Sequence, residues 1–292
     1  MFKKILIATD FSKHARHALI RAIEVAEYFQ AELTCVHVIH QNYLQHFTTL
    51  SSYDEAKHLE DQIKKIETSF NKEIKKLSIH YPINLITLTG RVPDQINQYI
   101  DTNGIDLVLM GSHGTYYLND YILGTTSESV IKHASIPVQL IKKTPNFSYQ
   151  RILVTTDFSE SSRKAAETVY QLYPNAQFLL LHVSDVWYEK QQVTTEGNQQ
   201  LHDDMHHILQ NKLNQFLEKS TLDPERFLPQ FIGGYPSNDI VECATKWDAQ
   251  LVVAGARGHS ALHYILLGSV ANRLLRMSHT DMLIVPSQIN CS

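Results

Sequence analysis

The chain alternates short apolar runs with longer amphipathic segments. The run Ile5–Ala8 is apolar throughout, as expected for a strand that is buried on both faces of a sheet. Apolar residues then recur at helical spacing from Ala15 to Phe29, and Ser12 precedes them as a helix N-cap. The same alternation predicts strands over 33–39, 83–89, 106–110 and 138–141 and helices over 56–77, 93–102 and 125–134.

This series of elements occurs twice. The opening segment Lys4–Ser12 matches Arg151–Ser159, and the later elements follow in the same order. A repeat of the whole order indicates two copies of one domain, and 292 residues suit about two domains. We place the domains at 1–144 and 149–288, with the boundary within the stretch Lys142–Gln150.

Strands separated by helices predict a parallel sheet with helices on both faces in each half. Ligands of such sheets bind beyond the carboxyl ends of the strands, where the strand order reverses. In both halves polar or glycine residues follow strands one and four, namely Asp10 and Gly111, then Asp157 and Gly255. We therefore expect strands one and four to be neighbours. Pro229 cannot donate a ladder hydrogen bond, so the third strand of the second half is predicted at a sheet edge.

Charge and composition exclude several classes of protein. The net charge is −4 with both signs interspersed, which offers no basic surface for nucleic acid. No apolar run approaches the roughly 20 residues that cross a bilayer, and no secretory signal is evident, so we expect a cytoplasmic protein. The three cysteines, Cys35, Cys243 and Cys291, are odd in number and unclustered, which suits a reducing compartment.

One glycine pattern occurs in both halves. Gly111-Ser112-His113-Gly114 is followed after nine residues by Gly124-Thr125, and Gly255-Ala256-Arg257-Gly258 is followed after nine residues by Gly268-Ser269. Each copy comes after an apolar strand and before a helix, where backbone amides and the helix dipole favour a phosphate. The alternative is that these glycines serve only as turn and cap residues. The matched spacing in both halves favours phosphate binding.

The chain resembles the universal stress protein family, in its tandem two-domain form, over almost its full length. The resemblance rests on the glycine pattern, which is similar to the family's ATP-binding signature, and on Thr9-Asp10, His37-Val38, Thr156-Asp157 and His182-Val183. It implies two Rossmann-like domains of the adenine nucleotide alpha hydrolase type, each with a five-stranded parallel sheet of order 3-2-1-4-5. It also implies that the fifth strands of the two halves pair and that two chains form a homodimer.

The resemblance further implies roles by position. The residues around Asp10 and Asp157 would lie beside adenine and ribose, the valines would offer backbone groups to adenine, and the glycine pattern would hold the phosphates of ATP, with or without Mg²⁺. The nucleotide-binding residues implied are Ala8, Thr9, Asp10, Val38, Met110, Gly111, His113, Gly114, Gly124, Thr125 and Thr126 in the first half, and Thr155, Thr156, Asp157, Val183, Ala254, Gly255, Arg257, Gly258, Gly268, Ser269 and Val270 in the second.

Three positions depart from the family pattern or from the other half. Thr126 stands where the family, and this chain at Val270, has valine. Ala254 replaces the methionine of the first half, and Asp281 takes the place of Pro137. None of these changes removes a glycine, and Thr126 leads us to rank the second site above the first.

Other residues admit a metal or a structural interpretation. His202 and His206 are four apart on a predicted helix, but no third ligand is evident, so a solvated helix face is favoured over a metal site. Asp10 and Asp157 could be turn residues that satisfy backbone amides, although their recurrence at the sheet edge favours a ligand role. Arg257 is either an exposed turn residue or a partner for phosphate.

The chain lacks a Gly-x-x-x-x-Gly-Lys-Ser/Thr loop, and no catalytic base is identifiable. The sequence therefore favours an ATP-binding regulatory or stress-response module without catalytic residues. The alternatives are an enzyme that hydrolyses ATP slowly or transfers its adenylyl group, and a nucleotide-free interaction scaffold.

Overall fold

A computed structural model describes residues 2–40, 52–112, 123–145, 148–184, 198–258 and 267–287. The contacts divide the chain into two compact units, with the division between Ala134 and Ser135. Most of the two polar segments that follow the second strands lies outside the described residues, as do His113, Gly114 and Cys291.

The first unit is a parallel sheet with helices between its strands. Its elements are β1 (Lys4–Ala8), α1 (Lys13–Phe29), β2 (Glu32–His40), α2 (Ser52–Lys76), β3 (Ile83–Gly90), α3 (Val92–Asn103), β4 (Leu107–Gly111) and α4 (Thr125–His133). The strand order is β3-β2-β1-β4, and the paired strands are parallel. The predicted neighbours, strands one and four, pair from Ile5 with Leu107 to Ala8 with Met110.

Burial of the central strands supplies the core of this unit. Ile5, Leu6 and Ile7 in β1 and Leu107 and Leu109 in β4 are completely buried. Each such side chain contributes about 1.5–3 kcal/mol when it leaves water, which is why these apolar runs form central strands.

In its described residues, the second unit has ten helices and strands and the same order of strands. They are β5 (Val138–Ile141), β6 (Arg151–Thr155), α5 (Glu160–Leu172), β7 (Gln177–Ser184), α6 (Asn198–Glu218), β8 (Phe227–Gly233), α7 (Pro236–Lys246), β9 (Leu251–Gly255), α8 (Ser269–Met277) and β10 (Asp281–Val285), with a short 3₁₀ turn at Pro224–Arg226. The sheet order is β5-β10-β9-β6-β7-β8. All of its pairs are parallel except β5 with β10, which is antiparallel.

The predicted fold class is confirmed. The five strands β6–β10 take the predicted order 3-2-1-4-5, and β1–β4 take the order 3-2-1-4. Pro229 lies in β8, which ends its sheet, so the edge position inferred from the proline is correct. Among the described helices, none is both long and apolar enough to cross a membrane.

A buried polar network surrounds Asp281 in the second unit. One oxygen of its carboxylate accepts hydrogen bonds from the backbone amides of Lys142 (2.7 Å) and Lys143 (2.9 Å), and the other accepts one from the Tyr149 hydroxyl (2.6 Å). The Lys142 ammonium donates to the backbone oxygens of Leu275 (2.9 Å) and Ser278 (2.6 Å) at the carboxyl end of α8. The aspartate that replaces a proline is therefore a partner for groups that would otherwise be buried without one.

This arrangement predicts that the free energy of unfolding increases with pH in the alkaline range. Burial lowers the pKa of Lys142 to about 8, although the Asp281 carboxylate acts in the opposite direction. Between pH 8 and the unfolded value of about 10.4, the unfolded chain binds a proton that the folded chain does not, so stability rises with pH in this window. Across this window we expect the free energy of unfolding, measured with urea, to rise by on the order of 1–3 kcal/mol more in the wild type than in Lys142→Met. The same pH dependence of this free energy in both proteins would contradict the prediction.

Candidate functional site

The two aspartate turns at the carboxyl ends of β1 and β6 have the same geometry. In the second half, the Asp157 carboxylate accepts a hydrogen bond from the Ser159 amide (3.0 Å), and the Thr156 hydroxyl accepts one from the Phe158 amide (2.9 Å). In the first half, Asp10 and Thr9 accept the corresponding bonds at 3.0 and 3.1 Å. The turn-forming role considered for these aspartates is therefore present, and in each turn it engages one carboxylate oxygen.

Each turn contains a phenylalanine in the left-handed region. Phe11 has φ of 62° and Phe158 has φ of 64°. A bulky residue in this conformation costs on the order of 1–3 kcal/mol, and such strain is concentrated at functional sites. The sequence analysis did not identify these residues, because a phenylalanine gives no local signal for positive φ. The repeated Thr-Asp-Phe-Ser tetrapeptide was the only available sign.

A histidine from the neighbouring strand holds each turn. The Nδ1 atoms of His37 and His182 lie 2.8 Å from the carbonyl oxygens of Thr9 and Thr156. Their rings pack on Phe11 and Phe158, with centroids 5.1 and 4.7 Å apart. Burial lowers the pKa of His37, against the opposing effects of the Thr9 carbonyl and of Asp10. The ring is therefore predominantly neutral at pH 7.

The first glycine of each motif is required by helix packing. A Cβ atom on Gly111 would lie 2.8 Å from the carbonyl carbon of His14, in the first turn of α1. A Cβ on Gly255 would lie 2.9 Å from the carbonyl carbon of Ser161, in α5. Backbone atoms cannot move aside cheaply, so both positions exclude a side chain whether or not a ligand is present.

The later glycines of the second motif meet the aspartate turn. A Cβ on Gly258 would lie 2.6 Å from Oδ2 of Asp157, so this carboxylate oxygen faces the glycine loop. Gly268 lies beside the same loop: its amide donates to the Ala256 carbonyl at 2.7 Å, and its missing Cβ would lie 3.8 Å from the Gly258 amide nitrogen. The structure thus brings together Asp157, Gly258 and Gly268, which the sequence analysis identified in separate segments.

Helices α4 and α8 begin without a side-chain cap. Their N-cap residues are Gly124 and Gly268, and neither helix has a side-chain hydrogen bond at its start. In contrast, Ser12 and Ser159 cap α1 and α5 through the amides of Ala15 and Ser162. The uncapped starts leave amide donors and a partial positive charge directed beyond the helix, which is the chemistry of an anion site.

The remaining predicted residues lie at the carboxyl edge of each sheet or in the adjoining first turns. Ala8, Val38, Met110, Thr155 and Ala254 are buried strand residues, and Val183 is half-buried. Exposed Thr125 and Ser269 and half-buried Thr126 and Val270 occupy the first two positions of α4 and α8. The half-buried Arg257 donates its amide to the Ser161 hydroxyl at 3.4 Å. Their contacts with a nucleotide stay predictions.

Of the two histidines considered on α6, only His206 has a described side chain. The ring of His206 packs edge-on against Phe231, with centroids 5.7 Å apart, and the side chain of His202 is outside the described atoms. Within the described ranges, no group of three or more His, Cys, Asp or Glu residues could hold a metal ion.

The fold and the paired glycine sites define a tandem, doubly wound α/β protein. The profile of the Universal stress protein family matches residues 1–142 and 148–286. The chain therefore belongs to the universal stress protein family, as the sequence resemblance predicted.

Individual relatives agree with this assignment. Two universal stress proteins of Methanocaldococcus jannaschii are 29% identical over 145 residues and 26% identical over 156 residues. Each alignment covers 49% of this chain, and they cover 84% and 96% of those proteins. Solved structures of a universal stress protein from Archaeoglobus fulgidus and of a functionally unknown protein from Pseudomonas aeruginosa have TM-scores of 0.62 and 0.64. They cover 97% and 98% of this chain and 96% and 92% of those chains, and at 17% and 16% identity they support the fold alone.

Proposed function

We propose that each half binds an adenine nucleotide, with ATP as the expected ligand, and that the protein acts as a nucleotide-dependent regulatory module. The observation that carries this proposal is the pair of uncapped helix starts beside glycine loops, at Gly124 and at Gly268. At the same sheet edge, α1 and α5 are capped by serine side chains, whereas α4 and α8, which follow the glycine pattern, have no side-chain cap, like α3 and α7. A nucleotide phosphate would accept the amide hydrogens at the starts of α4 and α8, as serine does in α1 and α5.

The aspartate turn supplies the other end of the proposed site. Asp157 Oδ2 faces Gly258, so a nucleoside placed between β6 and the glycine loop would meet a hydrogen-bond acceptor there. Val183 follows His182 on the neighbouring strand, where its backbone groups suit an adenine edge. Mg²⁺, where present, would accompany the phosphates and neutralise part of their charge.

Three further features belong to the proposal. The fifth strands, β5 and β10, would join the two halves, and their antiparallel register from Leu140–Met282 to Val138–Ile284 supports this. Two chains would associate as a homodimer. The buried free thiols Cys35 and Cys243 suit the reducing conditions of the cytoplasm.

Calorimetric titration of the purified chain with ATP tests the function directly. We expect saturable binding with two sites per chain, and ADP should bind more weakly because it presents one phosphate fewer to the uncapped helix starts. Release of small molecules on denaturation would show nucleotide that had been retained through purification. A chain that carries no nucleotide and gives no binding at millimolar ATP would disprove the proposal.

A further inference from the structure

Each strained aspartate turn is stabilised by contacts with a residue that lies outside the turn. Phe158 is held at φ of 64° within a turn closed by two hydrogen bonds, which the Phe158 and Ser159 amides donate to the side chains of Thr156 and Asp157. Its counterpart in the first half has the same bonds and φ of 62°. Without external contacts, a turn of this kind would relax to negative φ by rotation of the peptide groups beside the aspartate.

His182 contacts this turn on both sides of Asp157. Its Nδ1 atom is 2.8 Å from the Thr156 carbonyl oxygen, before the aspartate, and its ring packs on Phe158, after it. A carbonyl oxygen only accepts hydrogen bonds, so Nδ1 of the ring carries the hydrogen. The same two contacts join His37 to Thr9 and Phe11.

We propose that His182 and His37 are positioning residues, which hold the strained turn so that Asp157 and Asp10 face the nucleotide site. In the second half the held carboxylate has one oxygen on the Ser159 amide and the other directed to Gly258. Loss of the histidine N–H would leave the Thr156 carbonyl without this donor. Rotation of the Thr156–Asp157 peptide would then turn the carboxylate away from the glycine loop, and the adjoining Asp157–Phe158 peptide would rotate with it and release Phe158 from the left-handed region. The effect on nucleotide binding rests on the proposed function, whereas the effect on the turn does not.

Two substitutions separate the hydrogen bond from the ring packing. His182→Phe keeps an aromatic ring against Phe158 and removes the donor. His182→Asn places an amide N–H close to the position of Nδ1 and removes the ring. If the hydrogen bond positions the aspartate, then His182→Phe no longer holds Asp157 in place, whereas His182→Asn largely does. His37→Phe and His37→Asn repeat the comparison in the other half, so a folding defect in one half does not end the test.

Amide hydrogen exchange without nucleotide tests the turn itself. We expect exchange of the Phe158 and Ser159 amides to become about tenfold faster in His182→Phe and to change little in His182→Asn, because local opening governs exchange of such amides. In the wild type, the ¹⁵N chemical shifts of His182 should report hydrogen on Nδ1. Unchanged exchange in His182→Phe would overturn the inference.

Nucleotide affinity tests whether the histidine acts through the aspartate. We expect His182→Phe to weaken ATP binding at the second site by about tenfold, with the ratio of ATP to ADP affinity preserved because the phosphate end is untouched. In the Asp157→Asn background the same change should cost no further affinity. If His182→Phe weakens ATP binding as much in the Asp157→Asn background as in the wild type, the inference is overturned. It is also overturned if His182→Phe binds ATP with wild-type affinity although its amides exchange faster. Absence of ATP binding by the wild type overturns the proposed function instead, and the exchange result then decides the positioning role by itself.

Discussion

Gly258→Val should abolish nucleotide binding by the second half while the domain stays folded. The first atom of the new side chain would lie 2.6 Å from Oδ2 of Asp157, well inside van der Waals contact. Either the carboxylate or the glycine loop must move, and both are parts of the proposed site. We expect a loss of at least about a hundredfold in ATP affinity at this site, equivalent to about 2.7 kcal/mol, with binding at the first site retained.

The control is a glycine whose replacement meets no atoms. Gly104 ends α3 in the left-handed region, and a Cβ there would have nothing within 4 Å. Asparagine tolerates this conformation, so Gly104→Asn should leave both ATP sites and the unfolding temperature close to wild type. Calorimetric titration with ATP and thermal unfolding measured by circular dichroism would be run on all three proteins. Unchanged ATP stoichiometry and affinity in Gly258→Val would show that the phosphates do not lie along this loop.

Much of the fold could be predicted because it follows from local patterns. The apolar run Ile5–Ala8 can be buried only in the middle of a sheet, and the cap at Ser12 marks the start of the next helix. The position of β8 at an edge follows from Pro229, which has no amide hydrogen to donate. The repeat of these signals 147 residues later, from Ser12 to Ser159, indicated two domains without any knowledge of their contacts.

The candidate site was only partly predictable, because its decisive contacts join distant segments. Asp157 and Gly258 are about a hundred residues apart, and their contact depends on the pairing of β6 with β9. No pattern in the sequence shows that Phe158 has positive φ, since this conformation depends on surrounding contacts such as those of His182. Sequence also could not distinguish the packing requirement at Gly255 from the ligand-facing role proposed for Gly258, because both read as glycines of one motif.

Asp281→Ala should produce a large loss of stability in the second unit. The side chain is only 2% exposed, and its removal deprives the Lys142 and Lys143 amides and the Tyr149 hydroxyl of their acceptor. It also leaves the buried Lys142 ammonium without its nearby negative charge. Breaking a buried, hydrogen-bonded ionic network in this way costs about 3–5 kcal/mol in the free energy of unfolding. Asp281→Asn retains an acceptor for the amides, so its free energy of unfolding should lie between those of Asp281→Ala and the wild type.

Asp106→Ala is the matched control for this prediction. Oδ2 of Asp106 also accepts two backbone hydrogen bonds, from the amides of Lys3 (2.6 Å) and Lys4 (2.9 Å), but these bonds are exposed to solvent. Water can replace an acceptor there, so we expect a loss of only about 1 kcal/mol. Both tryptophans of the chain, Trp187 and Trp247, belong to the second half, so their fluorescence during urea unfolding reports on Asp281, and circular dichroism reports on both variants. If Asp281→Ala costs no more than Asp106→Ala, then the carboxylate does not stabilise the buried network, and the replacement of proline by aspartate at this position has no energetic explanation in the fold.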